Sequence, residues 1–217
     1  MIRFIAVLVT VLFSLAGTGV RAQETDTEGM FEGLVKVPDS KASVAYVLPE
    51  ADFSVYKRVA VLRPLVAFKK NWKREHRGVS NADMERIKER MANLFEEVFR
   101  DVLEEGGYPV VTDSGDDVLV VRPAIINLDA HAPDTMNAGR STTFVTSAGE
   151  ATLYVELYDS VTSTLLAKAM DRRFARDMDR MQWASSVYNR AEAAKIIKHW
   201  ASILRDRLDE IHGRAPN

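Results

Sequence analysis

Between Ser80 and Gly107 the chain repeats apolar residues at intervals of three and four: Met84, Ile87, Met91, Leu94, Phe95, Val98, Val102 and Leu103. Such spacing collects them on one stripe of an α-helix. Both ends are marked. Ser80 with Asp83 predicts a capping-box start, in which the hydroxyl accepts from an early backbone N–H and the carboxylate sits at the positive helix end. Gly106-Gly107 predicts the stop, because glycine enters the left-handed conformation without steric cost. A helix with one apolar stripe must bury that stripe against something, so the remaining segments have to supply a partner layer.

The partner layer reads as β-sheet. In Glu150 to Asp159, residues Ala151, Leu153, Val155 and Leu157 alternate with Thr152, Tyr154, Glu156 and Tyr158, the period of a strand. Asp159 to Ser163 predicts a turn, and Leu165 to Phe174 the returning arm of a hairpin. Lys57 to Leu62 is apolar on both faces around Val59-Ala60-Val61, as suits a covered interior strand. Tyr108 to Val111 reads as a short strand and Val118 to Leu128 as a longer one. Proline has no N–H for a ladder, so a bulge or an edge is expected at Arg122-Pro123. Asn127 to Ser147 reads as a long polar loop. Asn189 with Glu192 predicts a second capping box, opening a last helix whose buried face is Ile197, Trp200, Ile203, Leu204, Leu208 and Ile211. A strand followed by a crossover helix can pair in parallel, whereas the hairpin must be antiparallel. The expected fold is α+β: one domain with a mixed sheet and two long helices packed on it.

The N-terminus predicts export. Arg3 precedes an apolar run from Phe4 to Ala16, broken only by Thr10 and Ser14, and Val20-Arg21-Ala22 presents small residues before polar Gln23. The run is shorter than the ~20 residues of a membrane span, so cleavage after Ala22 is expected. The expected organisation is a signal peptide over 1–22, a flexible lead-in over 23–44 and a single domain over 45–217. The net charge is −2, and losing the two positive charges of Arg3 and Arg21 takes it to −4. Nucleic-acid binding needs an excess of Lys and Arg and is not expected. The chain has no cysteine, which excludes thiol catalysis, thiolate metal sites and a lipidated N-terminal cysteine. No stable membrane anchor is expected after cleavage, and the expected location is the periplasm or the medium.

Two surfaces stand out as candidates. Lys69, Lys70, Trp72, Lys73, Arg74 and Arg77 fall between the first strand and the first helix. A cationic loop with an indole could meet an anionic envelope component or a protein through charge and stacking. Asp129, His131 and Asp134, with Arg140 beyond them, form a weaker polar loop. The aspartates and the imidazole are acceptable metal ligands, but a third nitrogen ligand and a paired-histidine helix motif are missing, so no metal is expected. No G-x-S-x-G elbow surrounds Ser141 or Ser147, and there is no glycine-rich phosphate loop. His199 and His212 read as surface residues. No catalytic residue and no cofactor is expected.

Several segments together carry a family resemblance: Ala51 to Val59, Val66 to Trp72, Ala132-Pro133-Asp134 before Ala138-Gly139-Arg140, Ser147 to Glu150, Glu156 to Ser160, and Asn189 to Ala193. The chain resembles bacterial envelope proteins grouped as domain-of-unknown-function 3313, often described as lipoproteins. The resemblance covers most of the chain after the leader and implies a bacterial, extracytoplasmic setting, one α/β domain and no known activity. The chain departs from that pattern in lacking the lipid-bearing cysteine, and in having Ser163 where glycine is usual in the hairpin turn. The expected function is a non-catalytic interaction or accessory module of the envelope. The alternatives are a binder of small anionic ligands and a hydrolase using the Asp129–Asp134 loop.

Overall fold

The computed structural model describes residues 33–76, 78–130, 144–145, 150–174, 182–183 and 186–215. In chain order the elements are β1 (Val35–Lys36), β2 (Val44–Val47), a 3-10 turn (Phe53–Val55), β3 (Arg58–Val61), β4 (Leu65–Phe68), α1 (Trp72–Glu75), α2 (Asn81–Glu105), β5 (Val118–Asp129), β6 (Phe144–Val145), β7 (Glu150–Asp159), β8 (Leu165–Phe174), β9 (Gln182–Trp183) and α3 (Ser186–Ile211). The main sheet runs β1-β2-β8-β7-β5-β3, and β4 also pairs with β5. Pairs β5–β3 and β5–β4 are parallel and the rest of that sheet is antiparallel, so the sheet is mixed. β6 and β9 form a separate antiparallel pair. The α+β fold, a mixed sheet with two long helices, is as the sequence predicts.

Pro123 is neither at an edge nor at a bulge. It lies inside β5, in register with Val155 of β7. Leu62 donates its N–H to the Val121 carbonyl, so the backbone groups of Val121 and, by alternation, of position 123 face β3. A parallel ladder would next send an N–H from position 123 back to Leu62, and proline has none. The β3 ladder ends there, and the neighbouring segment resumes as β4 opposite Ala124. The register shift of β5 falls later, between Ile126 and Asp129, at Asn127 with φ of 53°.

The segment expected as a lead-in contributes β1, which pairs with β2, while β2 pairs with β8 through Ala45↔Ala169 and Val47↔Ala167. Tyr108 to Val111 makes a single parallel bridge, Val110 to Val59, rather than a strand. α3 starts at Ser186, before Asn189, and Glu192 pairs with Lys195 rather than capping. The capping box of α2 is present as predicted: Ser80 Oγ accepts from Asp83 N–H, and Asp83 Oδ2 accepts from Ser80 N–H. Gly107 stops the helix at φ of 78°.

α2 packs on β3 and β4, and α3 packs on α2 and on the 3-10 turn. Phe95, Phe99, Leu103, Leu119, Val121, Ile125, Ile197 and Leu208 form the centre of the core between helices and sheet. Phe99 and Ala92 belong to the buried side of α2 as well, although the three-and-four stripe omits them. The sheet is six strands across, roughly 24 Å at strand spacing. Two packed helices cover roughly 20 Å.

Candidate functional site

A cavity of about 470 Å³ lies between α3 and the inner face of β2, β8 and β7. Its floor is made by Ala45, Ala167 and Ala169 on β2 and β8 and by Leu153, Val155 and Leu157 on β7. Strand alternation places these residues on the helix side. Three alanines where a sheet more often carries large β-branched residues leave the space unfilled. Its roof is one stripe of α3: Trp200, Ile203, Leu204, Arg207, Leu208 and Ile211. Ile203, Leu204 and Ile211 remain only half-buried because they face this space. The stripe shares Trp200, Ile203, Leu204, Leu208 and Ile211 with the face the sequence predicts for the last helix, and adds Arg207.

Polar pins at the margins hold the roof off the floor. The segment from Val37 to Ser43, joining β1 to β2, crosses to α3, where Lys41 Nζ lies 3.2 Å from Asp206 and 3.7 Å from Glu210. At one end of the cavity Asp171, only 3% exposed, ties three distant segments together. Its Oδ1 accepts from Ser43 N–H at 2.9 Å and Ser43 Oγ at 2.8 Å, and its Oδ2 from Trp200 Nε1 at 3.0 Å and Arg173 Nε at 2.5 Å. Burial pushes the Asp171 carboxyl up, but the bonds from Arg173, Ser43 and Trp200 outweigh it and hold the group below its usual value. It is ionised, saturated with donors and structural. At the other end lie Phe53 of the 3-10 turn and Ile211, where His212 Nε2 reaches Ser54 O at 3.1 Å. His212 thus bridges α3 to the turn and is not a bare surface residue, whereas His199 is exposed. The charged margin carries Asp39, Lys41, Arg207 and Glu210, two of each sign.

On the opposite face of the sheet, Glu156 is 6% exposed and collects Tyr154 OH and Tyr158 OH, each at 2.8 Å, Arg122 Nε at 2.7 Å, and Lys168 Nζ at 3.3 Å. Arg122 also lies over the Tyr158 ring, 4.9 Å from its centroid. Burial pushes the Glu156 carboxyl up, and hydrogen bonds from Tyr154, Tyr158 and Arg122 bring it net below its ordinary value. Burial, then the bond to Glu156, pushes both tyrosine hydroxyls up. The tyrosines therefore stay protonated and the carboxylate charged at neutral pH. That suits a locked network and does not supply a proton carrier tuned near pH 7.

The cationic loop is arranged differently from the expectation. Trp72 is 1% exposed. Its ring stacks between Phe68 and His76, with both centroid distances 4.2 Å, and its Nε1 donates to Ala130 O at 3.0 Å. It anchors α1 to the end of β5 and offers no face to a partner. Lys69 is drawn to Asp129 at 2.7 Å and Glu75 at 3.0 Å, and these carboxylates, Asp129 first, hold its ammonium above the usual value. Lys73 bonds Asn81. Lys70 and Arg74 are exposed. Arg77 lies outside the described residues, as do His131, Asp134, Arg140, Ser141 and Ser147, so Asp129 alone of the polar loop is placed, in its pair with Lys69. Among the described residues, no group of three His, Asp or Glu side chains could hold a metal ion. No helix there is long and apolar enough to cross a membrane.

The sequence matches, over residues 24–204, the family described as protein of unknown function DUF3313. The chain belongs to that family. Comparison with curated proteins gives no match. Among solved structures it is similar to a point variant of PelC from Paraburkholderia phytofirmans, described as a dodecamer, at 14% identity and a TM-score of 0.36, covering 70% of this chain and 88% of that one. It is also similar to a Helicobacter pylori protein described as a homolog of the neuraminyllactose-binding hemagglutinin, at 11% identity and a TM-score of 0.37, covering 72% and 88%. At these values neither structure bears on what this DUF3313 chain binds.

The cavity was not named from the sequence. The α3 stripe was legible, but the three alanines become a floor only once β2 joins β8 across more than a hundred residues. The available signal was Asp171, a carboxylate on the same face of β8 as Ala167 and Ala169.

Proposed function

We propose that this DUF3313 protein is an exported, non-catalytic binding module of the bacterial envelope, and that its binding site is the cavity under α3. The observation that carries the reading is that cavity: about 470 Å³, walled mainly by aliphatic and aromatic side chains. Ligand pockets have this size and lining. The leader-like N-terminus supports export. The one carboxylate at the wall, Asp171, is consumed by four hydrogen bonds, which favours binding over turnover.

Native mass spectrometry of protein purified from cells expressing the full chain tests the reading. We expect a non-covalent adduct that organic extraction removes, with a lower melting temperature afterwards, because a ligand held only by the folded state stabilises it. A protein that purifies ligand-free, and whose melting temperature no fraction of an envelope lipid extract raises, would remove the proposal.

A further inference from the structure

Resting on that reading, the geometry points to a single linear aliphatic chain as the ligand, laid along α3 with its polar end outside. The roof residues from Trp200 to Ile211 recur at +3, +4, +7, +8 and +11. That is a stripe of three turns, about 16 Å long at 1.5 Å per residue, apolar except at Arg207, which turns to the margin. The cavity is thus a trough, closed at one end by the Asp171–Trp200 bond. A trough with aliphatic walls suits a flexible acyl chain, which gains about 0.8 kcal/mol for each methylene it buries. A rigid fused-ring ligand cannot follow a stripe of this length and serves as the contrasting ligand. Among the described residues, the floor of Ala45, Ala167, Ala169, Leu153, Val155 and Leu157 offers no side-chain partner to a mid-chain carbonyl or hydroxyl, and burying such a group unpaired is costly.

The margin adds a second point. Asp39, Lys41, Arg207 and Glu210 balance in charge, and Lys41 and Arg207 are already engaged by acidic neighbours. The margin therefore does not select the sign of a headgroup. A free fatty acid and a monoacyl phospholipid share the chemistry that is recognised, and binding should change little between low and high salt.

The test is displacement of a fluorescent polyene fatty acid from the purified full-chain product by palmitate, by 1-palmitoyl lysophosphatidylethanolamine, and by a naphthalene sulfonate as the fused-ring control. We expect one saturable site, displacement by both palmitoyl compounds and none by the ring compound. Ala169→Phe should weaken binding on the order of tenfold or more by filling the floor. Ala167→Leu is the milder second variant. A diazirine-bearing palmitate needs no variant and should crosslink to peptides within 200–211. Displacement by only one palmitoyl compound still supports the chain and identifies its source. If the ring compound binds in an Ala169-sensitive way and neither palmitoyl compound displaces the probe, the chain inference fails and the binding-module reading survives. If no apolar probe binds, both fail. Crosslinks confined elsewhere, or both variants binding as the parent does, would also overturn the site.

Discussion

At the scale of the residue, two side chains carry consequences their types alone would not suggest. Ser163 sits in the β7–β8 turn with φ of 57°, a left-handed backbone that costs a non-glycine residue roughly 1 kcal/mol. Its N–H donates to Asp159 O at 3.0 Å, a backbone bond that glycine keeps. Ser163→Gly should therefore stabilise the protein by up to about 1 kcal/mol, read as a higher melting temperature, and a lower one would show that the hydroxyl matters more than the strain. Trp72 makes the opposite case. Sandwiched between Phe68 and His76, it should cost about 3–5 kcal/mol on truncation to alanine. Urea unfolding would measure this. A stable Trp72→Ala protein would contradict the burial and return the indole to the list of contact residues.

At the scale of the element, the sequence was most readable where structure is local. The Ser80–Asp83 box, the α2 stripe and the alternation of β7 depend on neighbours within a turn or a hairpin, so their signals lie within a few residues. β4 has no signal of its own, because four residues beside a charged loop carry no period; it exists through pairing with β5. Pro123 follows the same rule: its missing N–H marks an edge in an isolated strand, while its effect here depends on the gap between β3 and β4. The candidate site divides the same way: the α3 stripe was legible, and the alanine floor was not. Trp72 lies among five cations, and its burial shows only through its stacking partners Phe68 and His76, one turn either side. A packing detail between the long helices also gives a test. A Cβ at Gly106 would lie 2.6 Å from Arg205 Cδ, closer than carbons can approach. Gly106→Ala should push the end of α2 from α3 and destabilise by about 1–3 kcal/mol, checked by chemical denaturation. An unchanged midpoint would mean the arginine swings aside freely.

At the scale of the whole molecule, Asp171 joins segments from both halves of the sequence, and its ionisation is linked to folding. Its carboxyl is held below the ordinary value of 3.8, and that of Glu156 below 4.5. As pH falls, the unfolded chain protonates these groups first, so the unfolded state binds more protons and stability drops. Their contribution is complete above about pH 5 and is lost as pH falls through the lowered folded values. Asp171→Asn should reduce stability at neutral pH and flatten that acid limb, followed by denaturation midpoints from pH 7 to pH 2; an equally steep limb would assign the acid sensitivity elsewhere. The export proposal makes a separate prediction: the protein in an osmotic-shock fraction should begin at Gln23 by intact mass, and Met1 retained in a membrane pellet would refute it. Finally, the sheet's open sides are short by construction. β1 is two residues long, Pro109–Val111 lies along β3, and the step forced by Pro123 leaves β4 only four residues. A strand margin recruits a second chain in proportion to its unbroken run of free N–H and C=O groups. A proline one strand in from the edge thereby acts on the rim, shortening the template on which neighbouring copies could stack into fibrils.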